Sequence, residues 1–192
     1  MVEEVSGRLG RLALLLALIL LPSAVFAHRD DEYLQAILVV VEPKEIRLHI
    51  NLTPGIAVAE QVIAEIDRER DGVISKNEAA AYAESLKRDL TLRMDGRDLK
   101  LKLTASEFVP PEELRTGSGT IQMEFSATSG PLAAGVHTLT LENRHLSKMS
   151  VYLINAARPK FATVQITRQK RNQNQSRGEI EFTFHPVRPK QM

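Results

Sequence analysis

The residues best suited to chemistry lie in one twelve-residue segment, Asp67 to Glu78, with the sequence D-R-E-R-D-G-V-I-S-K-N-E. Oxygen-bearing side chains occupy its first, third, fifth, ninth and twelfth positions, and a glycine occupies the sixth. A hard cation such as Ca²⁺ takes about six to eight oxygen ligands at about 2.3–2.6 Å. A single short loop can supply them only by turning alternate residues inward. The spacing therefore predicts a Ca²⁺ site in this segment.

Each predicted ligand has a residue type that suits its position. The predicted ligands are Asp67, Glu69, Asp71, Val73, Ser75 and Glu78. Val73 is expected to contribute its backbone carbonyl, Ser75 to act through a water molecule, and Glu78 to bind with both carboxylate oxygens. Gly72 suits the sharp turn at the sixth position because a residue without Cβ adopts a positive φ without steric cost. Ile74 is expected to point away from the ion into apolar packing.

Helices are predicted on both sides of this loop. Thr53 and Pro54 suit a helix cap and a first helical residue, and apolar residues recur from Ile56 to Ile66 at helical spacing. After the loop, a second apolar stripe runs from Ala79 to Leu90 among strong helix formers. The loop and its flanks, residues 54–90, resemble the EF-hand, a helix–loop–helix calcium site.

Two features of the loop indicate weak binding. Glu69 stands where the EF-hand pattern usually has Asp or Asn, and its extra methylene changes the reach of the carboxylate. Arg68 and Arg70 reduce the negative charge that attracts a cation. We therefore expect a Kd of about 10⁻⁴–10⁻³ M. A loop that keeps its shape without binding metal is the alternative. A second loop of this pattern is absent from the sequence, so a pairing partner must come from another molecule or be absent.

The amino-terminal residues predict export. Arg8 and Arg11 precede the apolar run 12–21, and Val25 and Ala27 occupy the two positions that a signal peptidase inspects. The run is shorter than the roughly 20 residues of a membrane span. We therefore predict a signal peptide over residues 1–27, with an uncleaved anchor as the alternative. The mature protein would be secreted or periplasmic in a bacterium, without a further transmembrane segment.

The composition excludes several classes of protein. Cysteine is absent, so neither disulfides nor a lipid-anchored cysteine is possible, and a mature chain of about 165 residues must depend on its core. A formal net charge of +1 gives no indication of a nucleic-acid partner, and the basic run 168–171 is expected to be a solvated hairpin tip. The sequence has no Gly-x-Ser-x-Gly motif, no His-x-x-x-His pair and no phosphate-binding loop. We therefore predict that the protein is not an enzyme.

Outside the two helices, the sequence has the patterns of short strands. Residues 46–52 and 121–127 alternate between apolar and polar types, and Asp95-Gly96 favours a tight hairpin turn. Further strands are predicted at 33–41, 90–94, 99–103, 136–141, 151–155, 164–167 and 180–184. We predict a mostly β fold, a β-sandwich of Ig-like architecture formed by a single domain over residues 28–186. The EF-hand is expected as an insertion at about 54–90, and residues 187–192 as a tail.

Residues 28 to about 184 also resemble an extracytoplasmic domain of bacterial proteins, and a similar domain precedes the membrane helices of some HupE/UreJ-type membrane proteins. The stretches that support this resemblance are 51–55, 67–78, 142–145 and 150–153. HupE/UreJ-type proteins are associated with nickel or cobalt handling. Because this chain ends at Met192 without a membrane segment, we do not expect transport itself. The resemblance implies a possible membrane-protein partner.

Histidines provide the alternatives to calcium. His28, as the first residue of the mature chain, would offer its α-amine and a ring nitrogen to Cu²⁺, which makes a periplasmic copper- or nickel-binding protein an alternative function. His145 is predicted to lie in a turn, either as a functional residue or as a hydrogen-bonding turn residue. His49 and His137 are expected on outward strand faces, in contact with solvent. A third possibility is an interaction module that supports a membrane partner, with the helical pair as structural filler.

Overall fold

The computed structural model describes residues 31–186, which form ten strands, three helices and two five-stranded sheets. The strands are β1 Tyr33–Val41, β2 Glu45–Pro54, β3 Leu90–Met94, β4 Arg97–Asp98, β5 Lys102–Glu107, β6 Ile121–Thr128, β7 Gly135–Asn143, β8 Ser150–Ala156, β9 Val164–Arg171 and β10 Arg177–Phe184. The helices are α1 Ile56–Ile66, α2 Lys76–Asp89 and α3 Pro111–Arg115. The prediction of a mostly β fold is confirmed. The predicted signal peptide, His28 and the tail at 187–192 lie outside the described residues.

The two sheets have different strand orders. The first sheet runs β5-β6-β2-β1-β8, and the second runs β4-β3-β7-β10-β9. Neighbouring strands are antiparallel except β1 and β8, which are parallel. Apolar side chains from both sheets form one buried cluster. This arrangement is compatible with the predicted β-sandwich.

The alternating sequence of β2 and β6 explains the core on the first sheet. Leu48 and Ile50 on β2 pair with Phe125 and Met123 on β6, and all four side chains are buried. Polar residues between them face the other side, because successive side chains of a strand point to opposite faces. Burying one such apolar side chain stabilises the fold by about 1.5–3 kcal/mol.

Helix α1 begins later than the sequence predicts. The predicted cap and first helical residue, Thr53 and Pro54, instead end β2 and pair with β1. Gly55 precedes the helix, and its N–H donates to the Glu32 carbonyl at 2.9 Å. The Thr53 hydroxyl bonds Thr120 Oγ1 at 2.8 Å instead of capping a helix. Sheet pairing satisfies the backbone of these residues, so the local helix signal is overridden.

The predicted hairpin turn at Asp95-Gly96 is confirmed, but the prediction of its second strand at 99–103 is wrong. Both turn residues have positive φ, 49° for Asp95 and 78° for Gly96, and Met94 pairs with Arg97 across the turn. However, β4 ends at Asp98, and the chain then joins the other sheet as β5.

Among the helices of residues 31–186, none has the length and apolar character that a membrane crossing requires.

The basic run 168–171 lies within β9 and is not a hairpin tip. Arg168 forms an ion pair with Glu181 on β10 at 3.0 Å. Arg171 Nε donates to the Ile154 carbonyl of β8 at 2.5 Å. Two of the three cations in this run therefore have partners within the fold.

Candidate metal-binding loop

The segment between α1 and α2 contains the predicted loop, and its backbone turns at two left-handed residues. Arg70 has φ 58° and Gly72 has φ 82°. A Cβ added at Gly72 would meet no atom within 4 Å, so the requirement for glycine comes from the positive φ and not from crowding. The turn that the sequence predicts at the sixth position of the loop is present.

Asp67 holds the first half of the loop. Its side chain follows the last residue of α1 and is only 4% exposed. Its Oδ2 accepts from the Gly72 N–H at 2.9 Å and its Oδ1 from the Asp71 N–H at 3.2 Å. The carboxylate therefore satisfies two backbone donors of the turn.

Glu78 holds the second half of the loop and is 7% exposed. Its Oε1 accepts from the N–H groups of Arg68 at 2.8 Å and Glu69 at 3.3 Å. Its Oε2 accepts from the N–H of Ser75 at 3.0 Å and from the Ser75 hydroxyl at 2.9 Å. These donors, first the Ser75 N–H and then its hydroxyl, hold the pKa of Glu78 below its usual range. The carboxylate is therefore ionised at neutral pH.

Ser75 and Glu78 also form a capping box at the start of α2. The Ser75 hydroxyl oxygen accepts from the Glu78 N–H at 3.3 Å, while the Glu78 carboxylate accepts from the Ser75 N–H. The Ser-x-x-Glu spacing is a known signature of this motif, so the sequence contained the signal. The ligand spacing predicts only a metal-binding role for both residues, so their capping role is known from the structure alone.

The other three predicted ligands are exposed to solvent, unlike Asp67 and Glu78. Glu69, Asp71 and Val73 are exposed, and Asp71 Oδ1 accepts from the Val73 N–H at 2.9 Å. Within residues 31–186, no three His, Asp or Glu side chains are grouped so that they could hold a metal ion. Asp67 and Glu78 thus bind hydrogen-bond donors of the loop, and the predicted carboxylate ligands are not gathered around one point.

The two buried carboxylates have no cationic partner. Across residues 31–186, neither Asp67 nor Glu78 is part of an ion pair with Lys, Arg or His. Arg115 on α3 is close enough for its pKa to be raised in small part by Asp67, but its main partner is Glu60, at 2.7 Å. Backbone N–H groups and the Ser75 hydroxyl alone stabilise these two carboxylates, so their negative charge is still available for a cation to compensate.

Ile74 anchors the loop to the rest of the protein. Its side chain packs against the buried core cluster, as the sequence predicts for the eighth position. Two grooves of about 340 and 420 Å³ border the loop, and Ile74 and Phe108 line both. The loop, helix α2 and the segment after β5 therefore meet at the Ile74 side chain.

A chain of hydrogen-bonded polar side chains runs from the middle of α2 to its last residue; Tyr33, Tyr82 and His145 in it are buried, and Asp89 is partly exposed. Tyr33 Oη is 2.7 Å from Tyr82 Oη, and Tyr82 Oη is 3.1 Å from His145 Nε2. His145 Nδ1 is 2.7 Å from Asp89 Oδ2. His145 is 2% exposed, and its burial lowers its pKa more than the Asp89 carboxylate raises it.

The turn that contains His145 is fixed by side chains of β1, β7 and β8. The His145 carbonyl accepts from Gln35 Nε2 at 2.9 Å and from Tyr152 Oη at 3.0 Å. Asn143 Oδ1 accepts from the His145 N–H at 2.9 Å, and Asn143 Nδ2 donates to Gln35 Oε1 at 2.8 Å. His145 lies in a turn, as predicted, and it forms hydrogen bonds there. Its contacts to α2 were not predicted.

His137 is less exposed than its predicted place on an outward strand face would require. Its side chain is 11% exposed and stacks on Phe182. Its Nδ1 lies 2.7 Å from Asp95 Oδ2 and its Nε2 lies 2.9 Å from the Ala133 carbonyl. Both partners are acceptors, so both ring nitrogens can donate at the same time only when the ring is protonated. Burial lowers the pKa of His137, but the Ala133 carbonyl and Asp95 together raise it by more, and the net shift is upward.

Comparison of the chain with protein-family models, with curated proteins and with solved structures found no match in any of the three.

Proposed function

We propose that α1, the 67–78 loop and α2 form a calcium site of EF-hand type, and that Ca²⁺ is a structural ligand of an exported, non-enzymatic domain. The observation that supports this most is the pair of buried carboxylates at the first and twelfth loop positions, Asp67 and Glu78, which have no cationic partner in residues 31–186. Gly72 at positive φ between two flanking helices also supports it.

The residues present suit Ca²⁺ in chemistry. Asp67, Glu69, Asp71, Ser75 and Glu78 supply side-chain oxygens, Val73 supplies a carbonyl, and hard cations prefer oxygen ligands. Glu69 and Asp71 are exposed, so their side chains can reorient without losing buried contacts. For both of its oxygens to bind the ion, Glu78 would have to exchange hydrogen bonds from Arg68, Glu69 and Ser75. That exchange opposes binding and agrees with a weak site.

A stabilising role follows from where the loop lies in the chain. The helices connect β2 of the first sheet to β3 of the second. A cation held by residues at both ends of the loop would fix α1 relative to α2. We infer that calcium limits fluctuation of this connection and thereby stabilises the domain. Within this proposal the domain is a β-sandwich with the helical pair as an insertion.

The test is a calcium titration of the purified protein. Wild type should bind one Ca²⁺ per chain, and Asp67→Asn and Glu78→Gln should each abolish binding. Loss of binding in both variants, with retained circular dichroism, would support the proposal, whereas no binding by folded wild type would overturn it.

The two alternatives lack a structural observation in their favour. The copper or nickel site depends on His28, which lies outside the described residues. The module for a membrane partner depends only on the resemblance to HupE/UreJ-type proteins. Calcium binding remains the function that the geometry of residues 31–186 supports best.

A further inference from the structure

Helix α2 connects the candidate calcium loop to the buried histidine. Glu78 lies in its first turn, Tyr82 lies one turn further on, and Asp89 is its last residue. Tyr82 and Asp89 both contact His145. Residues four apart lie on the same face of a helix, and Glu78 and Tyr82 are both buried. The same face of one helix thus contacts the loop near its start and His145 further along.

The hydrogen bonds of this chain run in one direction. The Asp89 carboxylate can only accept, so His145 Nδ1 donates to it, and Nε2 of the neutral ring is then an acceptor. Tyr82 donates its hydroxyl to Nε2, and Tyr33 donates its hydroxyl to Tyr82. Burial raises the pKa of both tyrosines, so both hydroxyls keep their protons. Every buried donor in the chain has an acceptor in this state.

Protonation of His145 would reverse the chain. Nε2 would become a donor to the Tyr82 oxygen, and the Tyr82 hydroxyl would have to donate to Tyr33. The Tyr33 side chain is 0% exposed, and among the described residues its hydroxyl forms a hydrogen bond only with Tyr82. Its proton would then lack an acceptor, which is unfavourable for a buried donor.

Charged and titratable groups from each neighbouring element act on the His145 ring or its turn. They are Asp89, Arg88 and Tyr82 on α2, Glu65 on α1, Tyr152 on β8 and, through Tyr82, Tyr33 on β1. Arg144 precedes His145 in the chain and pairs with Glu142. Asp89 and Glu65 favour the protonated ring, whereas Arg88 and burial oppose it. Since burial is the largest effect, the neutral ring is the stable form near neutral pH.

We propose that His145 and Tyr82 are positioning residues of the calcium loop: they hold α2, and with it Glu78, so that protonation of His145 weakens Ca²⁺ binding. The inference rests on the proposed calcium site and specifies how that site is regulated. Calcium binding and protonation are then linked, and linkage is reciprocal, so bound Ca²⁺ must also oppose protonation of His145. The site would release calcium as the surroundings become acidic.

The test compares Ca²⁺ affinity at about pH 7.5 and about pH 5.5, on either side of the ordinary histidine range. The proteins are the full chain, His145→Gln, and His49→Gln as the control, since His49 lies on the outer face of β2 beside Glu124. Isothermal titration calorimetry should show that acidification weakens binding by at least about fivefold more in wild type than in His145→Gln, the low end of coupling between sites. His49→Gln should respond as wild type does. Effects of carboxylate protonation are common to all three proteins and cancel.

A second measurement keeps the test valid if His145→Gln does not fold. NMR titration of the His145 ring in wild type should give a lower pKa with saturating Ca²⁺ than with chelator, while the ring of His49 is unchanged. An identical His145 pKa in both conditions, or an identical pH response of wild type and His145→Gln, would overturn this inference and leave the calcium site intact. Absence of Ca²⁺ binding at both pH values would overturn the calcium site and the inference together.

Discussion

Removal of the Glu78 charge should separate the metal-dependent part of stability from the rest. Glu78 accepts four hydrogen bonds, two on each carboxylate oxygen. In the Glu78→Gln variant, the amide oxygen would remain as an acceptor for Arg68 and Glu69, but the amide NH₂ group would face the N–H and hydroxyl of Ser75. Glu78→Gln should therefore lower the melting temperature even without calcium, and it should also remove the response to calcium.

The size of the calcium response follows from mass action. With Kd of about 10⁻⁴–10⁻³ M and about 10 mM free Ca²⁺, the folded state gains about 1.4–2.7 kcal/mol. One kcal/mol shifts Tm by about 2–4 °C for a chain of this size. Wild type should therefore melt about 3–11 °C higher with calcium than with chelator.

Differential scanning calorimetry with chelator, with Ca²⁺ and with Mg²⁺ is the assay. Glu107→Gln is the matched control, because Glu107 is an exposed residue of β5 and lies outside the loop. It should show the full wild-type response. A wild-type Tm that does not change with calcium would refute the reasoning, and so would a Glu78→Gln protein that still responds.

Three further predictions concern the rest of the fold. Tyr82→Phe removes the hydroxyl between Tyr33 and His145 and should destabilise the protein by about 1–3 kcal/mol in urea unfolding; no change would show that the chain does not hold α2. His137 has a raised pKa, so its protonated ring should make wild type more stable than His137→Gln. This difference in stability should be fully present below the unfolded pKa of about 6.5 and be lost as the pH rises through the higher folded pKa. Urea unfolding of both proteins across this range checks the sign, and a difference that grows with pH would contradict it. A Cβ at Gly119 would lie 2.7 Å from the Glu113 carbonyl carbon, so Gly119→Ala should cost about 1–3 kcal/mol through overpacking, and a melting curve equal to wild type would show that α3 can shift freely.

Features set by local sequence were predicted correctly. The alternation in 46–52 and 121–127 gave two strands whose apolar faces are buried, because period-two patterning fixes which side chains face the core. The turn at Asp95-Gly96 and the positive φ of Gly72 also follow from residue type alone. Both helices next to the loop were predicted from helical spacing and composition.

Features set by distant partners were not predictable in the same way. Thr53 and Pro54 match a helix start, but pairing with β1 keeps them in a strand. The sequence does not show that the chain changes sheet after Asp98. The contacts of His145 join residues 63 and 56 positions apart, to Tyr82 and Asp89, and short-range periodicity gives no signal for such pairs. In the loop, residue types were compatible with both metal binding and hydrogen bonding, so the sequence alone could not distinguish the two.

Direct titration of the full chain with Ca²⁺ by isothermal titration calorimetry tests the central claim. We predict one site per chain with Kd of about 10⁻⁴–10⁻³ M, absent in Asp67→Asn and Glu78→Gln and present in Glu107→Gln. Folded wild type that takes up no Ca²⁺ at millimolar concentration, or a Glu78→Gln protein that binds as tightly as wild type, would contradict it.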